Sequence, residues 1–160
     1  MIGHRRLRWR AGVLAAALVM ASPHSCTEAT AQTVALCMID TSGLEFGIYD
    51  PLDPSPLDGT GGITYTCSAH IVVAIAMTPG TSGSFERAMT GGADTLAYNL
   101  YLDSARTKVW GDGALGTAVY VDLDPPKDAA VGVPVYGRIP ARQSVAEGRY
   151  TDNLMVVMVF

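Results

Sequence analysis

The strongest constraint on this chain is its rhythm. Beyond residue 32, short runs of Val, Ile, Thr, Tyr and Leu alternate with clusters of Gly, Pro, Asp and Ser. An amphipathic helix needs apolar side chains at three- and four-residue spacing over ten or more positions. No such period is sustained here. Short β-prone runs with turn signals roughly every eight to twelve residues predict an all-β sandwich. Strands are expected over Thr33–Ile39, Leu44–Tyr49, Ile63–Ser68, Ile71–Met77, Glu86–Thr90 and Leu96–Leu102. Lys108–Trp110 is expected to pair back across an Asp103–Arg106 turn. Thr117–Leu123, Ala130–Ile139 and a long Arg149–Phe160 complete the set. Asp50–Gly62, with three Pro and three Gly in thirteen residues, reads as a loop.

The first thirty-one residues obey another logic. Arg5, Arg6, Arg8 and Arg10 precede an uncharged run, Ala11–Met20, and Ala29-Thr30-Ala31 has the small-x-small form of a cleavage site. This is the layout of a secretory signal peptide, so residues 1–31 are expected to be removed on Sec export. The apolar run is too short for a bilayer, which takes about 20 helical residues. Its all-round apolarity also argues against a surface-lying helix. Val19-Met20-Ala21 is an alternative cut. A lipoprotein cut before Cys26 is disfavoured by Pro23, and the flanks of Arg5-Arg6 fit a twin-arginine signal poorly.

Export sets the remaining bulk properties. Loss of residues 1–31 takes four Arg and one Glu from eleven basic and fifteen acidic residues, leaving an excess of seven negative charges. That balance argues against nucleic acid or an anionic membrane as partner. Cys37 and Cys67 are the cysteines left. An even pair in an exported chain predicts a disulfide. Closing a loop of that length stabilises by about 3–4 kcal/mol in the chain-entropy model.

Several chemical readings fail on the residues themselves. Gly111-Asp-Gly-Ala-Leu-Gly116 matches a dinucleotide pattern, but β-prone Thr117–Val121 follows where a helix is required. His70 is the only histidine left after export, so a histidine metal cluster or relay is hard to assemble. Asp50, Asp53 and Asp58, and separately Asp122 and Asp124, lack the spacing of a calcium loop. Nothing selects a carboxylate pair for glycoside hydrolysis, and no Gly-x-Ser-x-Gly elbow occurs. The chain reads as a non-enzyme without a cofactor. Tyr98, Tyr101 and Trp110 could form a sugar-stacking platform, although strand aromatics are more often core. Leu52 and Leu57, apolar residues in the Pro- and Asp-rich loop, are the candidate adhesive contacts.

A set of ordered motifs resembles a known family. They are Cys37, Phe46-Gly-Ile-Tyr49, Ile63-Thr-Tyr-Thr-Cys67, Arg87-Ala-Met89, Leu96–Tyr101, Val109-Trp-Gly-Asp-Gly113, Val135–Pro140 and Gly148–Leu154 with Val157 and Phe160. Together they resemble the spore coat protein U domain family, which includes subunits of archaic, Csu-type chaperone–usher pili. The resemblance implies an immunoglobulin-like β-sandwich lacking its last strand. A periplasmic chaperone would fill the gap first, and a strand of another pilus subunit would replace it at the outer-membrane usher. It also implies paired cysteines near the first two strands, matching Cys37 and Cys67.

The residues point the same way. The last run is apolar on both faces, and no later strand is left to cover its edge. A free apolar edge invites strand addition. Leu154, Val156, Met158 and Phe160 are therefore the candidate groove residues, with Phe160 and its carboxylate a candidate chaperone anchor. Which alternate set faces inward stays open. As a donor the chain looks poor: Gln32–Leu36, or Ser22–Leu36 after the earlier cut, holds few large apolar residues. That suits a terminal position such as a tip.

Overall fold

The computed structural model describes residues 34–160. The expected signal peptide, Cys26 and most of the donor segment lie outside them. Nine strands follow in order: β1 (Cys37–Gly43), β2 (Leu57–Cys67), β3 (Val73–Met77), β4 (Ala88–Gly91), β5 (Asp94–Ala97), β6 (Asn99–Tyr101), β7 (Tyr120–Asp122), β8 (Ala130–Ile139) and β9 (Val156–Val159). They form a four-stranded sheet in the order β1-β2-β8-β6, a three-stranded sheet β7-β3-β9 and a hairpin β4-β5. All strand pairings are antiparallel.

Alternation builds the core between the sheets. Ile63, Tyr65 and Cys67 of β2, Val133, Val135 and Ile139 of β8, and Val73, Ile75 and Met77 of β3 all point inward and are buried. Trp110 is wholly buried, and its indole N–H donates to Ile75 O at 2.8 Å. Tyr65 OH donates to Asp122 Oδ2 at 2.6 Å and ties β2 to β7. Cys37 lies opposite Cys67 in the β1–β2 register, and the two form the expected disulfide.

Arg87 is the one buried charged side chain among the described residues. Its guanidinium donates to Thr78 O from Nε and Nη2 at 3.3 and 2.9 Å, to Trp110 O at 2.8 Å and to Asn99 Oδ1 at 2.8 Å. Burial costs a charge its hydration, and carbonyl dipoles replace it here.

The structure differs most from the expected elements in four places, besides a β1 that runs from Cys37 to Gly43 and a Lys108–Trp110 segment held by isolated bridges. Leu57–Gly62 belongs to β2 and pairs with β8 from Leu57↔Ile139 to Gly62↔Pro134. Its glycines had suggested a loop, yet Gly59 and Gly61 are strand positions against which other chain packs. A Cβ on Gly61 would collide with the Gly43 carbonyl. Leu44–Tyr49 is not a strand. It follows β1 without a ladder partner, with Gly43 and Gly47 at positive φ. Leu96–Leu102 is split at Tyr98 into β5, which pairs with β4, and β6, which pairs with β8. Arg149–Phe160 is regular only over Val156–Val159; before it, Thr151 bridges to Thr90.

Candidate functional site

The two sheets do not close along one side. β9 has β3 on one flank and, among the described residues, no strand on the other. In an antiparallel ladder alternate residues bond to each neighbour. Thr78 N–H donates to Met155 O at 3.0 Å, which puts Met155, Val157 and Val159 in phase with β3. The backbone N–H and C=O groups of Val156 and Met158 therefore face the open side.

Across the gap stands the Leu44–Tyr49 segment, the opposite wall. Leu44 and Phe46 turn inward onto Gly59 and Gly137, which lie opposite each other in the β2–β8 register. A Cβ on Gly137 would sit 2.7 Å from Phe46 Cζ and 2.8 Å from Leu44 Cδ1. The paired glycines thus leave a shelf that the wall's own side chains fill. Phe46 meets Tyr98 edge-on, with ring centroids 5.9 Å apart. Tyr49 OH donates to Pro140 O at 3.0 Å and accepts from Gln143 N–H at 2.7 Å, anchoring the far end of the wall.

The β9 side of the gap is continued by residues 145–154. The Gln143 side-chain amide accepts from Ala97 N–H at 2.8 Å and donates to Ala97 O at 2.9 Å, so it acts as a strand would on the edge of β5. Asp152 accepts from Thr81 N–H and Oγ1 at 2.9 and 2.8 Å, from Tyr98 OH at 2.8 Å and from Asn153 N–H at 2.8 Å. Burial pushes the Asp152 pKa up, but these hydrogen bonds outweigh it and hold the carboxyl below the ordinary aspartate value. The same environment, burial first and the Asp152 bond second, drives the Tyr98 phenol far above its usual pKa.

Between these walls runs a groove of about 1230 Å³, floored by core side chains that include Ile63, Met77, Leu96, Leu100, Val135 and Ile139. Of the expected groove residues, Leu154 and Val156 line it, and Met158 packs half-buried against the core. Phe160 is outside the groove lining, with about half its surface exposed. The inward set of the last strand is thereby decided: Leu154, Val156 and Met158 face the core, while Met155, Val157 and Val159 face out.

An apolar trench with an unpaired strand on its rim has the form of a sandwich missing one strand. The family model of the Spore Coat Protein U domain matches residues 24–157. The chain belongs to this family. It is also 31% identical to "Protein U" of Myxococcus xanthus over 91% of this chain and 93% of that one. Its fold is shared with a chain in the crystal structure of the CsuC–CsuE chaperone–tip adhesion subunit pre-assembly complex from archaic chaperone-usher Csu pili of Acinetobacter baumannii. The TM-score is 0.55 at 19% identity, and the match covers 79% of this chain and 40% of that one. The family fold, an open immunoglobulin-like all-β sandwich, accounts for the groove.

Other expected sites fare differently. Tyr98 and Trp110 are buried in the core, which rules them out as a sugar platform; Tyr101 alone of the three reaches the surface. Leu57 is not a loop tip: it is a β2 residue packed against the core. Leu52 does project from a turn, 86% exposed. Asp50 and Asp53 cap that turn through the N–H groups of Leu52 and Ser55, and Asp58 is engaged by Arg138 at 2.7 and 2.9 Å. Among the described residues no three acidic, histidine or cysteine side chains gather for a metal. The sequence pattern puts the wall residues Leu44, Phe46 and Tyr49 in one more strand and Gly59 in a loop, while Gly137 falls in the expected strand Ala130–Ile139. One signal could have found the shelf: odd positions from Leu57 to Cys67 read Leu, Gly, Gly, Ile, Tyr, Cys, an inward row continued through glycine.

Proposed function

We propose that this chain is a subunit of a surface pilus built by a periplasmic chaperone and an outer-membrane usher. The open groove beside the unpaired β9 edge carries the reading. An extended strand laid there would bond to the N–H and C=O groups of Val156 and Met158 and bury alternate apolar side chains on the core. A chaperone strand would occupy the groove first, and a strand of another subunit would replace it. Leu154, Val156 and Met158 are the receiving residues, with Phe160 beside them for the chaperone. The likeness in fold to a chain of a chaperone–subunit pre-assembly complex supports the same reading. Export follows the Sec route with cleavage after Ala31, giving a mature domain from Gln32 to Phe160, and the finished subunit sits at the cell surface.

A tip position is the finer reading. Leu52, exposed on its capped turn, is the contact proposed for adhesion.

The deciding experiment compares the exported, oxidised chain alone and with a co-expressed chaperone of this pathway. The expected result is a chain that aggregates or unfolds readily by itself and is recovered as a soluble complex with the chaperone. A freely soluble monomer with a single cooperative unfolding transition, unchanged by the chaperone, would overturn the reading in favour of a self-sufficient secreted carbohydrate- or surface-binding module.

A further inference from the structure

We infer that the outer face of the β7-β3-β9 sheet is an interface on which a second copy of this chain packs, sheet against sheet. An antiparallel sheet with one face on the core ordinarily turns polar residues outward. The four-stranded sheet does so: its outward positions include Asp58, Thr60, Thr64, Tyr136 and Arg138. The three-stranded sheet does not. Its five outward positions are Val121 on β7, Ala74 and Ala76 on β3, and Val157 and Val159 on β9. The register joins them into one patch, with Ala74 between Val121 and Val159, and Ala76 beside Val157. Val72, Leu123 and Met155 extend it at its ends.

The patch has the size of an interface. Its six large side chains are between 40% and 74% exposed. At those exposures they present on the order of 600 Å² of apolar surface. That is as much as the largest patch on a monomer usually reaches, and not far below the about 800 Å² per partner of a standard interface.

Shape and charge name the occupant. Alanine in the middle strand leaves a furrow between the Val157–Val159 ridge and Val121. A two-fold axis along the strands, between β3 and β9, lays the β9 ridge of each copy in the furrow of the other. The patch is then its own complement. The chain has a formal net charge of −4, so copies repel over much of their surface, yet all five outward positions of this sheet are uncharged. The groove stays open in such a pair, because β9 turns the N–H and C=O groups of Val156 and Met158 sideways and the side chains of Val157 and Val159 outward. The inference therefore does not depend on what fills the groove.

The test is the mass of the exported, oxidised chain by light scattering and sedimentation equilibrium, both free and in complex with the co-expressed chaperone. Two copies per particle are expected at about 10 μM chain, since interfaces of this size range from μM to pM. The pair should persist in about 1 M salt, which screens charge beyond about 3 Å. Val157→Lys should weaken it about tenfold or more. Ala74→Leu adds an apolar group on the outer face without touching the core, and should weaken it as much by filling the furrow. Thr64→Lys, on the outer face of the other sheet, should leave the mass unchanged. One copy per particle in both samples would overturn the inference. So would a one-to-one complex that Val157→Lys prevents, which would give the face to the chaperone. A pair that Ala74→Leu leaves alone or tightens would overturn the nested packing.

Discussion

At the scale of single residues, Arg87, the Cys37–Cys67 bond and Asp152 hold the fold at points the groove depends on. Arg87 fills the hydrogen-bonding needs of two carbonyls and one amide from the middle of the core. Replacing it with Ala strands the Thr78 and Trp110 carbonyls, at about 1–3 kcal/mol each. An unfolding titration should therefore show a loss of about 3 kcal/mol or more. Arg87→Lys should recover little of it, because an ammonium cannot reproduce the planar fork. The Cys37–Cys67 bond pins β1, and through it the groove wall, to β2. Cys37→Ser is expected to cost about 2–5 kcal/mol in denaturant, and thiol labelling of the native wild-type chain should find neither Cys37 nor Cys67 reactive. Asp152 gives a pH signature. Its folded pKa is depressed, so its contribution to stability is complete above the unfolded value of about 4 and fades as pH falls through the folded value. Asp152→Asn should flatten that acid limb of the stability profile. An unchanged slope in the variant would mean other carboxylates carry it.

At the scale of elements, β2 teaches most. Its first half reads as a loop in the sequence because three Pro and three Gly crowd into Asp50–Gly62. In the fold those glycines are close-approach positions, with Leu44, Phe46 and the Gly43 carbonyl packed where side chains would stand. Gly137 on β8 is under the same constraint. Gly137→Ala should push Phe46 off its shelf and destabilise by about 1–3 kcal/mol, the usual cost of overpacking. Gly148→Ala, where no atom lies within 4 Å of the new carbon, serves as the control and should be near neutral. The segment before β9 is a second lesson. It leads straight into the apolar Leu154–Phe160 run and so reads as part of the same strand, yet the hydrogen bonds of Asp152 and the Thr90–Thr151 pair shape it into wall.

At the scale of the whole molecule, the proposal makes stability a property of the complex. A strand that binds only the folded chain raises its stability by RT ln(1 + [L]/Kd), about 2.7 kcal/mol at a hundredfold excess over Kd. The urea midpoint of the exported chain should thus climb with the concentration of a groove-filling peptide. A scrambled peptide lacking the alternation should leave it still.

By itself, the sequence determined the fold class, the pairing of Cys37 with Cys67, and the strand segments that contain β3, β8 and the Cys67 half of β2. Each depends on local alternation or on counting. Alternation could not orient the last strand, because Leu154 to Phe160 is apolar on both faces and a one-residue slip exchanges them. The pairing with β3 settled that, turning Leu154, Val156 and Met158 inward. Tertiary structure alone also decided that Leu44–Tyr49 stands as a wall and not in a sheet, and that Gly59 and Gly137 meet across two strands to receive Phe46. These are contacts between residues far apart in the chain, ninety-one positions in the case of Phe46 and Gly137. No local pattern encodes them, because what places Phe46 is the space that two distant glycines leave.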